Sequence, residues 1–100
     1  MLVYISGKMS GLSVEDYRSL FLAAEQKLLQ LGYSVVNPST EAYYTENGFE
    51  SKSYGDILLK DLEILNGCDA ICMLDNWQQS KGAKTEHAFA VACHKKVIKL

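Results

Sequence analysis

The chain has 100 residues, 48% of them hydrophobic and 22% charged, with a formal net charge of −2. This allows one compact soluble domain with no room for a second, and it argues against nonspecific binding to nucleic acid or to an anionic membrane. The opening MLVYIS lacks the basic and apolar regions of a signal peptide, and no apolar run approaches the roughly 20 residues of a membrane helix, which makes a cytoplasmic protein the expectation.

LVYIS (2–6) is a short apolar run with β-branched residues that ends in GKMSG, the pattern of a buried strand entering a glycine-rich turn. Ser13 is a good N-cap, and Val14, Tyr17, Leu20, Phe21, Ala24, Leu28 and Leu31 recur at helical spacing until Gly32, which predicts the clearest helix of the chain. YSVVN (33–37) is a second strand, ended by Pro38, which has no N–H for a sheet ladder. Residues 38–53 show no sustained period and contain an Asn47-Gly48 turn signal, so they are predicted to form a long loop of the kind used as lids or binding loops.

YGDILLKDLEILNG (54–67) places Ile57, Leu58, Leu62 and Leu65 on one face of a second helix that closes on Gly67. AICML (70–74) is a third buried strand and DNWQQSKG a polar loop. Residues 82–94 form a third helix, apolar from Ala88 to Cys93 and hence expected to pack on more than one face, and KVIKL (96–100) is a fourth strand. Cys68, Cys72 and Cys93 lie in or beside apolar runs without CxxC spacing or a matching histidine pair, which reads as reduced core residues; no metal and no organic cofactor are expected. Strands alternating with helices, as near-continuous apolar runs, predict a parallel sheet covered on both faces.

Ligands of such sheets bind in the crevice outside the carboxyl ends of the strands. That rule selects the loops after the first three strands, and with them Glu86, a carboxylate near the start of the otherwise small and apolar third helix. There the helix dipole favours its ionised form, either as a poised nucleophile or base, or merely to balance the dipole for ~0.3–1 kcal/mol. SGKMSG (6–11) and SKGAK (80–84) could cradle a phosphate through backbone N–H groups, or be a tight turn and a helix cap; neither has Walker A or GxGxxG spacing. Asp61 borders the apolar stripe of its helix, whereas Glu63 points outward. Asp69 reads as a turn residue, and His87 and His94 as surface or core residues. Trp77, Tyr43, Tyr44 and Phe49 either stack on a base or cap the core edge.

YISGKMSG, KDLEILNGCDAICML and SKGAKTEHAFAVACHKKV together resemble the nucleoside 2-deoxyribosyltransferase-like superfamily, over nearly the whole chain and most loosely in residues 12–53. The likeness is closest to a small branch with a W..S.GA..E...A signature and to the 2′-deoxynucleoside 5′-monophosphate N-glycosidases. It implies a flavodoxin-like, three-layer α/β/α fold with about four to five strands. It also implies that Glu86 is the nucleophile at the anomeric carbon, that Tyr4 orients it, and that Asp61 serves as proton donor near the base. Ser80 falls where the monophosphate hydrolases carry serine and the transferases of free nucleosides tend to carry aspartate, which favours a phosphorylated substrate. Gly7, Lys8, Ser10 and Gly11 fall on the family's first phosphate-side loop. Ser10 stands in place of the hydrolases' arginine there, a charge that Lys8 or Lys81 would have to supply. Trp77 and Gly82, in the shared signature, join the substrate-binding set.

The chemistry suits these residue types on its own terms. An N-glycosidic bond breaks through an oxocarbenium-like state that one carboxylate traps while a second carboxyl group assists the leaving base, at roughly 5–5.5 Å separation for retention. Glu86 and Asp61 meet that requirement only if the third helix starts facing the second. The partner implied is a small nucleotide or nucleoside, with no nucleic acid and no membrane. The alternatives are a noncatalytic nucleotide-binding module and an NAD glycohydrolase. Only four recognisable strands, with an exposed edge and an incomplete crevice, predict a homodimer or larger assembly.

Overall fold

The computed structural model describes residues 1–100. Four strands, β1 (Leu2–Ser6), β2 (Ser34–Val36), β3 (Ala70–Met73) and β4 (Lys96–Ile98), make one sheet in the order β2-β1-β3-β4. Every pairing is parallel, with Tyr4 opposite Val36 on one side and Ile71 on the other. The two central strands are buried almost throughout because helices cover both of their faces, which is why they read as unbroken apolar runs.

Helix α1 (Val14–Gln30) covers one face, where Phe21, Ala24 and Leu28 pack on Val3, Ile5, Ala70 and Cys72. Helices α3 (Tyr54–Asn66) and α4 (Lys81–Ala92) cover the other, bringing Leu65, Ala83 and Ala90 against Tyr4, Ile71 and Met73. This is a flavodoxin-like α/β/α arrangement. From β1 the chain passes to β2 on one side and then returns to β3 on the other, so the order reverses between β1 and β3 and opens a crevice at their carboxyl ends. No helix is long and apolar enough to cross a membrane.

The caps follow the sequence closely. Ser13 Oγ accepts from the Asp16 N–H at 3.1 Å and Ser53 Oγ from Asp56 N–H at 3.1 Å. Asp69 sits at the amino end of β3, where its Oδ2 accepts from the Leu2 N–H at 2.8 Å and ties the starts of the central strands together.

Three expectations need correction. Residues 38–53 are not a structureless loop: α2 (Glu41–Glu46) forms there, capped by Thr40, and Gly48 at φ +65° leads into a 3₁₀ turn over Phe49–Ser51. Six residues are too few to display a helical period, which hid this helix from pattern reading. The last helix, α4, packs on one face only; Ala83, Glu86 and Ala90 are buried while Ala88, Val91 and Ala92 are exposed. Alanine reports helix propensity as much as burial, so a run of small residues is a poor guide to packing. Cys93 lies beyond that helix and is exposed, unlike the buried Cys68 and Cys72.

Candidate active site

The site begins with the two-residue period of β1. Tyr4 and Ser6 share one face of the strand and point toward α3 and α4, while Val3 and Ile5 point toward α1. On α4 the buried positions 83, 86 and 90 form a single stripe. Alanine at two of them lets the helix approach the sheet closely enough for the third to reach β1. Glu86 meets both β1 hydroxyls there: Tyr4 donates to Oε2 at 2.6 Å and Ser6 Oγ to Oε1 at 2.6 Å.

Glu86 is only 7% exposed. Burial raises its carboxyl to about 7; the hydrogen bonds from Ser6 and Tyr4 oppose that rise, and the nearby Asp61 charge adds to it. Burial, reinforced by the Glu86 charge, likewise holds the Tyr4 phenol well above the ordinary tyrosine range, which keeps it a neutral donor. Balancing the helix dipole does not account for this carboxylate. The sixth residue of α4 lies past the first turn, and the open N–H of Ala83 is already taken by Ser80 Oγ at 3.1 Å.

Asp61 reaches the same crevice from α3, which packs against α4 on this face. Both carboxyl groups line a cleft of about 200 Å³, together with Tyr4, Ser6, Gly7, Ser10, Ser80 and Gly82, under apolar walls from Met9, Pro38, Tyr54 and Ile57. Burial raises Asp61 to about 6, against the lowering effect of a hydrogen bond from Tyr43, whose hydroxyl donates to Oδ1 at 2.8 Å. A second cavity of about 250 Å³ shares Met9, Pro38, Ile57 and Asp61 with the first, and Tyr43, Tyr44 and Phe49 line it. A buried and a half-buried carboxyl group, both raised toward neutrality in one cleft, form a constellation suited to acid, base or nucleophile chemistry.

The remaining residues singled out from sequence divide into two groups. Gly7, Ser10, Ser80 and Gly82 line the cleft. At Gly7 a Cβ would stand 2.6 Å from Leu74 Cδ1, so only glycine lets the first loop lie this close to the loop after β3. Lys8, Gly11, Lys81 and Trp77 are not among the lining residues. Lys8 donates its backbone N–H to Asn76 Oδ1 at 2.9 Å, which joins the same two loops through Asn76. Gly11 turns at φ +85°, and Lys81 opens α4 with its side chain exposed. Trp77 packs on the α3–α4 side of the core and stacks on His87 at 4.3 Å between ring centroids. Nowhere do three or more His, Cys, Asp or Glu side chains gather to hold a metal ion.

The sequence offers Ser6 only as the start of a candidate phosphate loop and Tyr43 only as an aromatic that stacks on a base or caps the core edge, whereas each hydrogen-bonds a carboxyl group; Tyr54 and Asn76 carry no sequence signal of their own. For Ser6 the signal was available: it stands two residues from Tyr4 in a strand, hence on the same face, at the crevice end. Tyr43 depended on the unrecognised α2.

Residues 1–99 match the family model described as a domain of unknown function (DUF4406). None of the curated proteins matches the sequence. Among solved structures, a 2-desoxiribosyltransferase from Leishmania mexicana superimposes with a TM-score of 0.69 at 14% identity, over 99% of this chain and 63% of that one. The chain thus spans under two thirds of that protein's length, and at such identity the likeness is one of fold. The match over nearly every residue makes this chain a member of the DUF4406 family, built on a fold that it shares with a 2-desoxiribosyltransferase.

Proposed function

We propose that the protein cleaves or transfers the N-glycosidic bond of a nucleotide, a 2′-deoxynucleoside 5′-monophosphate, with Glu86 as nucleophile and Asp61 as general acid. One observation carries this reading: a buried glutamate, held at both oxygens by Tyr4 and Ser6, lines the same small cleft as a second raised carboxyl group. The deoxyribosyltransferase that shares the fold supports it.

In the reaction, a Glu86 oxygen bonds to the anomeric carbon as the carbon–nitrogen bond breaks. The electron pair leaves with the base, which takes the proton from Asp61. Water then displaces Glu86 and returns a proton to Asp61, giving hydrolysis; the ring nitrogen of a second base in place of water gives transfer. With Glu86 raised to about 7 and Asp61 to about 6, the free pair shares one proton midway between those two values, and that proton rests mostly on Glu86. The chemistry needs that proton on Asp61. A base lying over Asp61 excludes its remaining water and raises it further, while Tyr4 and Ser6 continue to donate to ionised Glu86.

The phosphate is assigned to the end of the cleft lined by Gly7, Ser10, Ser80 and Gly82, at the start of α4, where backbone N–H groups and the dipole favour an anion. The active form is proposed to be a homodimer or larger assembly in which a neighbouring copy closes the cleft. The exposed Tyr54 at the cleft wall and the exposed Leu59 and Val91 on the outer faces of α3 and α4 motivate this. A monomer on gel filtration at working concentration contradicts it.

The test of the reaction is chromatographic detection of free base after incubation with deoxynucleoside and ribonucleoside 5′-monophosphates and their unphosphorylated nucleosides. Release from the deoxynucleoside monophosphates alone supports the full proposal. Release from nucleosides at an equal rate removes the phosphate from it, and tight binding with no release replaces the enzyme by a nucleotide-binding module.

A further inference from the structure

We infer that Tyr43 is a positioning residue for Asp61, and that the segment between β2 and α3 is a fixed part of the acid's support. The inference rests on the proposed role of Asp61 for its catalytic consequence, but the contact itself does not depend on that role.

The Tyr43 hydroxyl donates to Asp61 Oδ1 at 2.8 Å, and its ring is buried. The rest of the residue is pinned as well. Its N–H donates to Thr40 Oγ1 at 3.1 Å, its carbonyl accepts from Asn47 Nδ2 at 2.8 Å, and its ring meets Phe49 edge-on at 5.8 Å. The segment is in turn anchored at its base. Arg18 Nε donates to the Ser39 carbonyl at 2.9 Å, and Asn37 Oδ1 accepts from both Ser39 N–H and Ser39 Oγ.

A tyrosine fixed at so many points directs one hydroxyl at one carboxyl oxygen. Because the bond engages Oδ1, Oδ2 is the oxygen left to carry a proton into the cleft. Asp61 lines both cavities, so a fixed donor on one side determines which way it faces. Around it lie Glu86 from α4, Tyr4 from β1, Tyr17 and Arg18 from α1, Tyr44 from α2 and Tyr54 from its own helix. Tyr43 is the one that donates to it.

A hydroxyl that donates to a carboxylate favours its ionised form. Tyr43→Phe keeps the ring and removes that donor, so the titration midpoint of Asp61 should rise, by about half a unit to one unit. The midpoint is read from the side-chain carboxyl carbon by NMR, assigned through its absence in Asp61→Asn. Tyr44→Phe, which alters the neighbouring tyrosine of the same cavity, should leave the midpoint unchanged. With a substrate, the alkaline limb of the kcat profile should move upward by the same amount in Tyr43→Phe, with KM little altered. An unchanged Asp61 midpoint in Tyr43→Phe, or an equal change in both variants, overturns the inference. The NMR measurement needs no turnover, so it stands or falls separately from the proposed reaction.

Discussion

The Tyr4 hydroxyl lies 2.6 Å from Glu86 Oε2, across 82 residues of sequence, and Ser6 reaches the other oxygen at the same distance. Two donors from one strand fix both the orientation and the charge of the carboxylate. Replacing Tyr4 by Phe should lower kcat/KM roughly 10- to 100-fold, as expected for loss of a hydrogen bond worth ~1.5–3 kcal/mol to a charged group. It should also raise the acidic limb of the rate profile, because the lost bond favoured ionised Glu86. Ser6→Ala should act in the same direction, and the pair should be non-additive because they share one acceptor. Steady-state pH profiles of the three variants check this; a Tyr4→Phe profile that superimposes on wild type contradicts it.

The same burial that poises Glu86 costs stability. Its folded value, about 7, lies above the ordinary 4.5, and that of Asp61, about 6, above 3.8. A raised acid gives a contribution that is fully present below the ordinary value and is lost as pH rises through the folded value. For these two groups, the loss runs from about pH 4 to about pH 7. Glu86→Gln removes the buried charge while keeping the shape, and should therefore stabilise the fold at pH 8 by as much as roughly 2–3 kcal/mol, with little effect near pH 4. Thermal unfolding of both proteins at the two pH values is the check. A lower Tm for the variant at pH 8 would show that ionised Glu86 is not under strain.

Gly7 and Gly82 both line the cleft but should respond differently to alanine. A Cβ on Gly7 meets Leu74 at 2.6, 2.8 and 2.9 Å, including its Cβ, so the two loops must separate; overpacking of this kind costs about 1–3 kcal/mol. A Cβ on Gly82 meets only the Tyr54 hydroxyl within 3 Å, at 2.8 Å, the far end of an exposed side chain that can swing away. Gly82→Ala should accordingly keep its Tm within a few degrees of wild type while Gly7→Ala loses several. Equal losses in the two variants would show that Tyr54 is not free to move.

The central strands were legible because each is an apolar run bounded by glycine or polar residues, α1 because a serine cap precedes a long periodic stretch, and α3 because one apolar face recurs at helical spacing up to Gly67. The sequence pattern of α1 nevertheless overstated its buried face: Val14, Leu20 and Leu31 are exposed, and the core takes Phe21, Ala24 and Leu28. Glu86 stood out as a carboxylate in an apolar helix, and family resemblance supplied Tyr4 as its partner. The link to Ser6 was within reach of the strand period. The link from Asp61 to Tyr43 was not, since it depends on a six-residue helix whose position is set by Thr40, Asn37 and Arg18 rather than by any period of its own.

The most direct test of the account is the single-turnover rate of base release from a deoxynucleoside 5′-monophosphate by wild type and by Glu86→Gln, each first shown to be folded by its Tm. Removal of the nucleophile, with both donors left in place, should lower the rate by at least about 10³-fold. A variant rate within tenfold of wild type would mean that Glu86 does not form the bond to the sugar, and the proposed mechanism would fail.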